Sequence, residues 1–542
     1  MKEKTDGKQH THLFTEIILC KSQLLVIALV IIGIFVITVP VSAGSYSYDG
    51  IPLTTVTSGT VQGTVVCDKG STAGLQTPWF NTTFNVPGGS SVKWAKIYVS
   101  VWGGTENYVG YANVYVRSNS GTTYTLTPSY FNKNGPSTNV VGSGNGKWIA
   151  TYDVSQYLEP GETFATDVMT TGTIDGRVYD VTLVAVIVNS SGSKTAYWVN
   201  DGNVNERYDA GFGELNNNIT TFAAPSYSST EANLCLGQLV GTNGESDFAY
   251  FNVPTGSDSP RTLDQIAWSL INYRKYQLGT DDDLADASDG NYFDLDKFTT
   301  TYDSTPLKDL VSLTGNNDVI FWRGHDYDSD GAIEGTWGSS NSEGETYVTP
   351  FLAVLTLKDI SRLYDFNSST LGTPGTNLYA YEGSVTVRPP ASSTVPITDI
   401  STSAQLTADD GSYKQFQTSA AGQYAAQRFV FTLQNPDTSV SNINKLTVTW
   451  NGKGYHGNTS LNGMYLYIWN TNSGAYEELA YTTGGTDTML SGDITTNIGN
   501  YINSNTVTVI AVQSNAQTGS GGAAKKSTIE TDYVKLVVDP AI

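Results

Sequence analysis

Apolar and polar residues alternate with a period of two along almost the whole chain, and helical periodicity is nearly absent. In FNTTFNVP, Phe80, Thr82, Phe84 and Val86 fall on one face, and Asn81, Thr83 and Asn85 on the other. In KWAKIYVSVWGG, Ala95, Ile97, Val99 and Val101 oppose Trp94, Lys96, Tyr98 and Ser100. Each stretch reads as a half-buried strand. A strand with one apolar face must bury it against a second layer, so the pattern predicts an all-β fold of packed sheets. Further strand runs follow at 178–188, 318–322 and 350–357, with Gly, Asn and Ser turns at the close spacing of tandem β-sandwiches and jelly rolls. The best helix candidate is 259–279, which also reads as a strand pair.

At 542 residues the chain exceeds one ordinary core. The pattern divides it into a β-sandwich over 44–224, a second over 225–363 that carries an Asp-rich loop, a Pro/Ser/Thr/Gly-rich linker with some strand in it over 364–394, and a jelly-roll-like sandwich over 395–542. The last unit contains five clean strands, and Leu446, Val448 and Trp450 share a face in one of them.

Residues 1–43 read as a signal peptide. Four lysines precede or adjoin an apolar run from Leu24 to Val39, and Val41-Ser42-Ala43 offers small residues for cleavage. The alternative is a retained anchor, since the run is close to spanning length. No other stretch is long enough to span, so cleavage implies a secreted or extracellular cell-surface protein. The formal charge of −22 argues against nucleic acid, which needs a basic footprint. Beyond the signal only Cys67 and Cys235 remain, either a disulfide or two free thiols. Sequons stand at Asn81, Asn189, Asn218, Asn367 and Asn458, which would carry glycans in an exported archaeal or eukaryotic protein.

The phrases YSYDGIPL (46–53), WAKIYVSVWGGT (94–105), DGRVYDVTLVAV (175–186) and YVTPFLAVLTL (347–357) resemble a family of exported, β-rich, cell-surface proteins of methanogenic archaea that carry a domain of unknown function. The resemblance covers about residues 46–357. It implies a location and a β fold, and it supplies no active site. The final unit, with YLYIWNTNSGAYEEL and IETDYVKLVV, is similar to galactose-binding-like jelly rolls.

The sharpest local signal is HDYDSDGAIEGTW, residues 325–337. Asp326, Asp328 and Asp330 occupy alternate positions, Gly331 permits a sharp turn, the Ala332 carbonyl would ligate, and Glu334 would bind directly or through water. That is a calcium pattern. Trp337 stands where a bidentate Glu would close an EF-hand, so this is a truncated loop between strands, with Glu343 or Glu345 as candidates to complete the shell. The competing reading is an acidic hairpin turn. A weaker match runs through Asp201, Asn203, Asn205 and Asp209, against which Arg207 and the missing glycine count. The acid run at 281–290 fits no ligand template.

Past the signal the only histidines are His325, beside the calcium candidate, and His456, in a glycine-rich turn that reads as exposed. No zinc helix, nucleophile elbow or phosphate loop occurs, and no catalytic residue is assigned. Tyr465, Tyr467 and Trp469 share one strand face opposite Leu466 and Ile468. If the aliphatic face is core, the aromatic face becomes a sugar-stacking patch; if the aromatic face is core, it does not. The chain therefore reads as a non-enzymatic, calcium-stabilised structural or adhesion protein, with carbohydrate binding by the last sandwich as the alternative and a glycoside-active enzyme behind both. Its partners would be cell-envelope components, other surface proteins or glycans, and it could self-assemble.

Overall fold

The structure is a computed structural model that describes residues 45–70, 78–118, 121–207, 215, 217–225, 227–239, 248–253, 275–278, 293–313, 315–323, 347–366, 378–400, 403–520, 522 and 525–541. Among these residues the regular structure is strands and a few single-turn 3-10 segments. Most of the 259–279 helix candidate lies outside the described residues; at its end Gln277–Leu278 is a strand.

Residues 45–358 are organised by one 11-stranded sheet. Its order is Ser45–Tyr46, Val140–Ser143, Lys147–Asp153, Ser91–Trp102, Arg177–Val188, Gly50–Lys69, Lys194–Val204, Tyr347–Lys358, Glu231–Leu239 and Phe293–Phe298, with Glu206–Arg207 pairing on Tyr347–Lys358. The central strand serves two neighbourhoods. Its residues from Gly63 onward pair with Arg177–Val188, while those before Gly63 pair with Lys194–Val204. Gly63 sits at the changeover with φ of +152°, and a Cβ there would meet the Ile187 carbonyl oxygen at 2.0 Å. Only glycine allows the backbones to approach so closely.

Each half of this sheet is covered by a smaller one. A 5-stranded sheet built on Trp79–Asn85, Thr163–Gly172 and Gly110–Arg117 packs on the first half. Phe80, Phe84, Val114 and Phe164 meet Ala95, Ile97, Val99 and Val101 in that core. A 4-stranded sheet built on Asn217–Phe222, Asn317–Trp322 and Phe248–Phe251 covers the second half, with Phe222, Phe251 and Phe321 against Leu234, Ala353 and Leu355.

The outer faces of the two halves then close on each other. Ser91–Trp102 and Tyr347–Lys358 are four strands apart in the order, roughly 19 Å in a flat sheet. Yet the Tyr98 and Phe351 ring centroids are 6.3 Å apart. Cys67 and Cys235, three strands apart, are joined by a disulfide with a Cα–Cα distance of 6.5 Å. The sheet is creased, and Val184, Val186, Tyr197, Val199 and Val354 fill the crease as a third core. Tyr98 and Ser100, assigned to a polar face by alternation, are fully buried as a result.

The division expected near 224 is thus not a cut in sequence. Gly50–Lys69 is 20 residues long and contributes to both halves, and Lys194–Val204 lies in the half that begins later in the chain. The C-terminal sandwich starts earlier than 395. Arg362–Asp365 pairs with Ser527–Pro540, and Leu378–Val385 pairs with Tyr424–Thr432, so the strand expected inside the linker belongs to this sandwich. A 5-stranded and a 6-stranded sheet enclose Leu446, Val448 and Trp450 together with Leu466, Ile468 and Phe429. The five strands read from the pattern are all present.

Replacing both Cys67 and Cys235 by Ser is expected to lower stability by up to about 5 kcal/mol in the chain-entropy picture for a separation of 168 residues. Guanidinium unfolding followed by tryptophan fluorescence measures this. An unchanged midpoint would assign the closure of the crease to packing alone.

Candidate functional site

One end of the crease is polar. Lys147 begins a strand of the first half, and Asn203, Asn205, Glu206 and Arg207 lie at or just past the end of Lys194–Val204. All five are buried. The Lys147 ammonium donates to Asn205 Oδ1 and lies 5.2 Å from the centroid of the Tyr347 ring. The Asn203 amide donates to the carbonyls of Val141 and Lys147 and its Oδ1 accepts from Ser143. Asn205 Nδ2 donates to the Tyr48 carbonyl, and Arg207 reaches Asp49 at 2.7 Å. Burial pulls the Lys147 amine down to about 7; the Arg207 charge adds to this and Glu206 opposes it. Further along, Asp201 accepts from Lys96 at 2.9 Å and from the Tyr98 hydroxyl at 3.0 Å.

Asp201, Asn203 and Asn205 therefore do not converge on a cation. Asp201 is paired with Lys96, and the two asparagines are spent on backbone carbonyls, Ser143 and Lys147. The Arg207 that counted against a calcium loop is part of what replaces it. Sequence reasoning did not single out Lys147 or Glu206, because the hydrogen-bond partners that join this cluster lie 56–157 residues apart in the chain.

The second surface of interest is the outer face of the 6-stranded sheet. Leu466 and Ile468 point into the core, so Tyr465, Tyr467 and Trp469 face away from it. Tyr465 stacks on Tyr467 at 5.7 Å and on Tyr481 at 5.4 Å, and Trp469 meets Tyr476 edge-on at 5.0 Å. The rings do not lie open as a platform. Val395 packs against them, the Arg388 guanidinium sits 3.9 Å from the Tyr465 ring centroid, and Tyr467 is buried. Arg428 holds the covering segment by donating to the Ser393 and Pro396 carbonyls, both at 3.1 Å. Tyr481, at 58% exposure, is the most open ring of the group.

Asp326, Asp328, Asp330, Ala332 and Glu334 lie outside the described residues, as do Glu343, Glu345, His325, Asp209, the 281–290 run, Asn367 and the signal segment. The described strands that flank the Asp-rich stretch end at Trp322 and resume at Tyr347. Asn81 lies on the exposed face of its strand and Asn458 on an exposed turn; Asn189 and Asn218 are half-buried. His456 is not exposed. It ends a long strand, is 2% accessible, and its Nδ1 accepts from the Asn458 amide at 3.0 Å. The glycine-rich turn begins only after it.

A family model described as "Protein of unknown function (DUF3344)" matches residues 45–358, and one described as "Uncharacterized protein, C-terminal domain" matches residues 375–540. No curated protein matches the chain. Among solved structures, PNGase F, a glycosylasparaginase from Flavobacterium meningosepticum, is 13% identical over 54% of this chain and 96% of that one, with a TM-score of 0.17. The N-terminal CBM22-1-CBM22-2 tandem domain of Paenibacillus barcinonensis Xyn10C is 9% identical over 65% of this chain and 88% of that one, with a TM-score of 0.23. At such TM-scores these likenesses carry no argument about function.

The polar end of the crease makes its own prediction. An amine lowered in the folded state takes up its proton less readily than in the unfolded chain, so its burial destabilises fully below about pH 7 and the cost fades as pH rises toward the free-lysine value. Lys147→Met is expected to gain most relative to the parent near pH 6 and to lose that advantage by about pH 10. Melting curves of both proteins across this range test it; a gap that does not change with pH would mean Lys147 keeps an ordinary pKa.

With its model covering residues 45–358, more than half of the chain, the protein belongs to the family described as protein of unknown function DUF3344.

Proposed function

We propose that the chain is an exported, non-enzymatic structural protein of the cell surface, whose sandwiches act as one stiff unit. The observation that carries this reading is that each junction between sandwiches is closed by a buried or covalent link. The disulfide ties Gly50–Lys69 to Glu231–Leu239 across the crease. The Lys147 and Asn203 network seals its polar end. At the second junction Arg362, 2% exposed, pairs with the fully buried Asp437, which also accepts from the Tyr364 hydroxyl at 2.8 Å. The Arg362 guanidinium lies 4.4 Å from the ring centroid of Tyr227, which belongs to the preceding sandwich, and Lys194 reaches the Pro540 carbonyl at 3.0 Å. A disulfide also suits an oxidising exterior. Among the described residues no helix is long and apolar enough to cross a membrane.

In this reading the Asp326–Glu334 stretch binds calcium as a staple and not as a catalyst. Its support is the ligand spacing in the sequence. A second reading, glycan contact through the last sandwich, is favoured by the open Tyr481 ring, which stacks on Tyr465 at the edge of the covered aromatic face.

Asp437→Asn leaves the Arg362 charge buried without its partner and is expected to cost about 3–5 kcal/mol. Differential scanning calorimetry with small-angle scattering reads both effects: the C-terminal sandwich melts earlier and the maximum dimension broadens. Unchanged scattering in a variant of lowered melting temperature would count against the stiff-unit reading. For the glycan reading, polysaccharide pull-down by the full chain should weaken in Tyr481→Ala; retention equal to the parent's removes that surface from consideration.

A further inference from the structure

Asp532 lies in the long Ser527–Pro540 strand, at a break in its ladder with Ile443–His456. Asn451 faces Tyr533 and Gly452 faces Thr531, so Asp532 is the extra residue of a β-bulge. A bulge re-aims a side chain out of the regular alternation. On the other edge of the strand the chain bridges to Tyr533 at Thr407, turns through Asp409, Asp410 and Gly411, and pairs again at Lys414 with Thr531. That turn folds over the bulge. Its Gly411 amide donates to Asp532 Oδ2 at 2.9 Å.

The bulged carboxylate is fully buried, and its Oδ1 has no hydrogen-bond partner. Such an atom ordinarily carries an energetic penalty. Around it stand Asp409, from the turn, and Asp487, from the segment preceding the Thr488–Ile494 strand, both exposed. One carboxylate oxygen from each of the three lies within 4.8 Å of the others. No described Lys or Arg forms an ion pair with any of them. Lys453, whose charge reaches Asp487, has its Nζ 3.7 Å from Glu530 and 3.5 Å from the centroid of the Tyr413 ring. Asp410 adds a further negative charge to the turn.

We infer that Asp409, Asp487 and Asp532 form a binding site for a divalent cation of the calcium type. The buried Asp532 Oδ1 is a preformed ligand held in place by the bulge and by the Gly411 amide. The two exposed acids come from a turn and a loop and supply hard oxygen donors from two further directions. Calcium accepts such irregular shells and fills the remainder with water or carbonyl oxygens, whereas magnesium requires near-octahedral geometry. Binding would pin the 407–411 turn and the 487 loop to the strand that also pairs with Arg362–Asp365, and so would stiffen the sandwich on the sheet that continues into the junction. Its three carboxylates share no residue with the Asp326–Glu334 stretch, so the two proposals are tested by different variants.

Calcium titration of the full mature chain by calorimetry tests the inference, with Asp487→Asn, Asp532→Asn and Asp328→Asn as separate variants and magnesium as the comparison. Asp487 is exposed, so its variant keeps the fold if Asp532→Asn does not; circular dichroism checks both. The inference requires one calcium per chain that is lost in Asp487→Asn and kept in Asp328→Asn, with a thermal shift on adding calcium that falls away in parallel. It is overturned by calcium binding that disappears only in Asp328→Asn, by equal stoichiometry in the parent and Asp487→Asn, or by no calcium binding at about 10 mM, above the 10⁻⁴–10⁻³ M range of extracellular calcium modules.

Discussion

The crease in the large sheet is the constraint from which the rest of residues 45–358 follows. One strand, Gly50–Lys69, hydrogen-bonds to Arg177–Val188 with one end and to Lys194–Val204 with the other. Two sandwiches built on one continuous strand cannot separate without breaking one of its two ladders. Once the sheet turns there, the outer faces of its halves meet, and the strands near the turn must be apolar on both sides. RVYDVTLVAVIV is so, with Leu183, Ala185 and Ile187 in the first sandwich core and Val184 and Val186 in the crease. Antiparallel strands with one wet face would show alternation instead.

Closing the crease also fixes where polar groups can be tolerated. At its polar end the backbone carbonyls of Val141 and Lys147 are drawn away from water, and Asn203 satisfies both. Lys147 is charged only at a cost, which its hydrogen bond to Asn205 and its contact with the Tyr347 ring offset in part. A half-satisfied network would favour an open crease, since an unpaired buried group costs more than a hydrogen bond contributes. The second junction obeys the same rule. Arg362 and Asp437 are paired out of solvent within the C-terminal sandwich, where Tyr364 also donates to Asp437, and separating the sandwiches would strip the Tyr227 ring from the Arg362 guanidinium.

Much of this was legible in the pattern of residues. The strands around Phe80, Ile97 and Leu446 carry their burial in their alternation, and all three side chains are buried as read. What alternation does not convey is a second layer. Tyr98 and Lys96 sit on a face that looks polar by composition and is enclosed only because a distant strand folds over it. The same limit applies to His456. A histidine before Gly457 suggests a turn, but pairing with Ser527 extends the strand and carries the side chain inside. For Tyr465 and its neighbours the two faces of the strand were equally apolar, and only the position of Leu466 in the core decides between them. Asp532 was invisible, since a bulge is a property of the ladder and not of either strand alone.

The buried carboxylates show why that last residue stands apart. Asp437 is answered by Arg362, and Asp201 by Lys96 with the Tyr98 hydroxyl. Asp180 forms no ion pair among the described residues, and burial pushes its carboxyl well above the usual range, with the charge of Lys69 opposing only in part. Burial raises Asp532 too, with Asp409 and Asp410 adding to the shift and the amides of the turn opposing it. One proton there would neutralise one carboxylate and leave Asp409 and Asp487 together, with only the charge of Lys453, itself beside Glu530, reaching Asp487. A divalent ion neutralises two charges and occupies the unpartnered Oδ1 as well. In a chain with 51 acids against 29 basic residues there are too few cationic side chains for every acidic cluster, and a metal ion is the partner that solvent can supply.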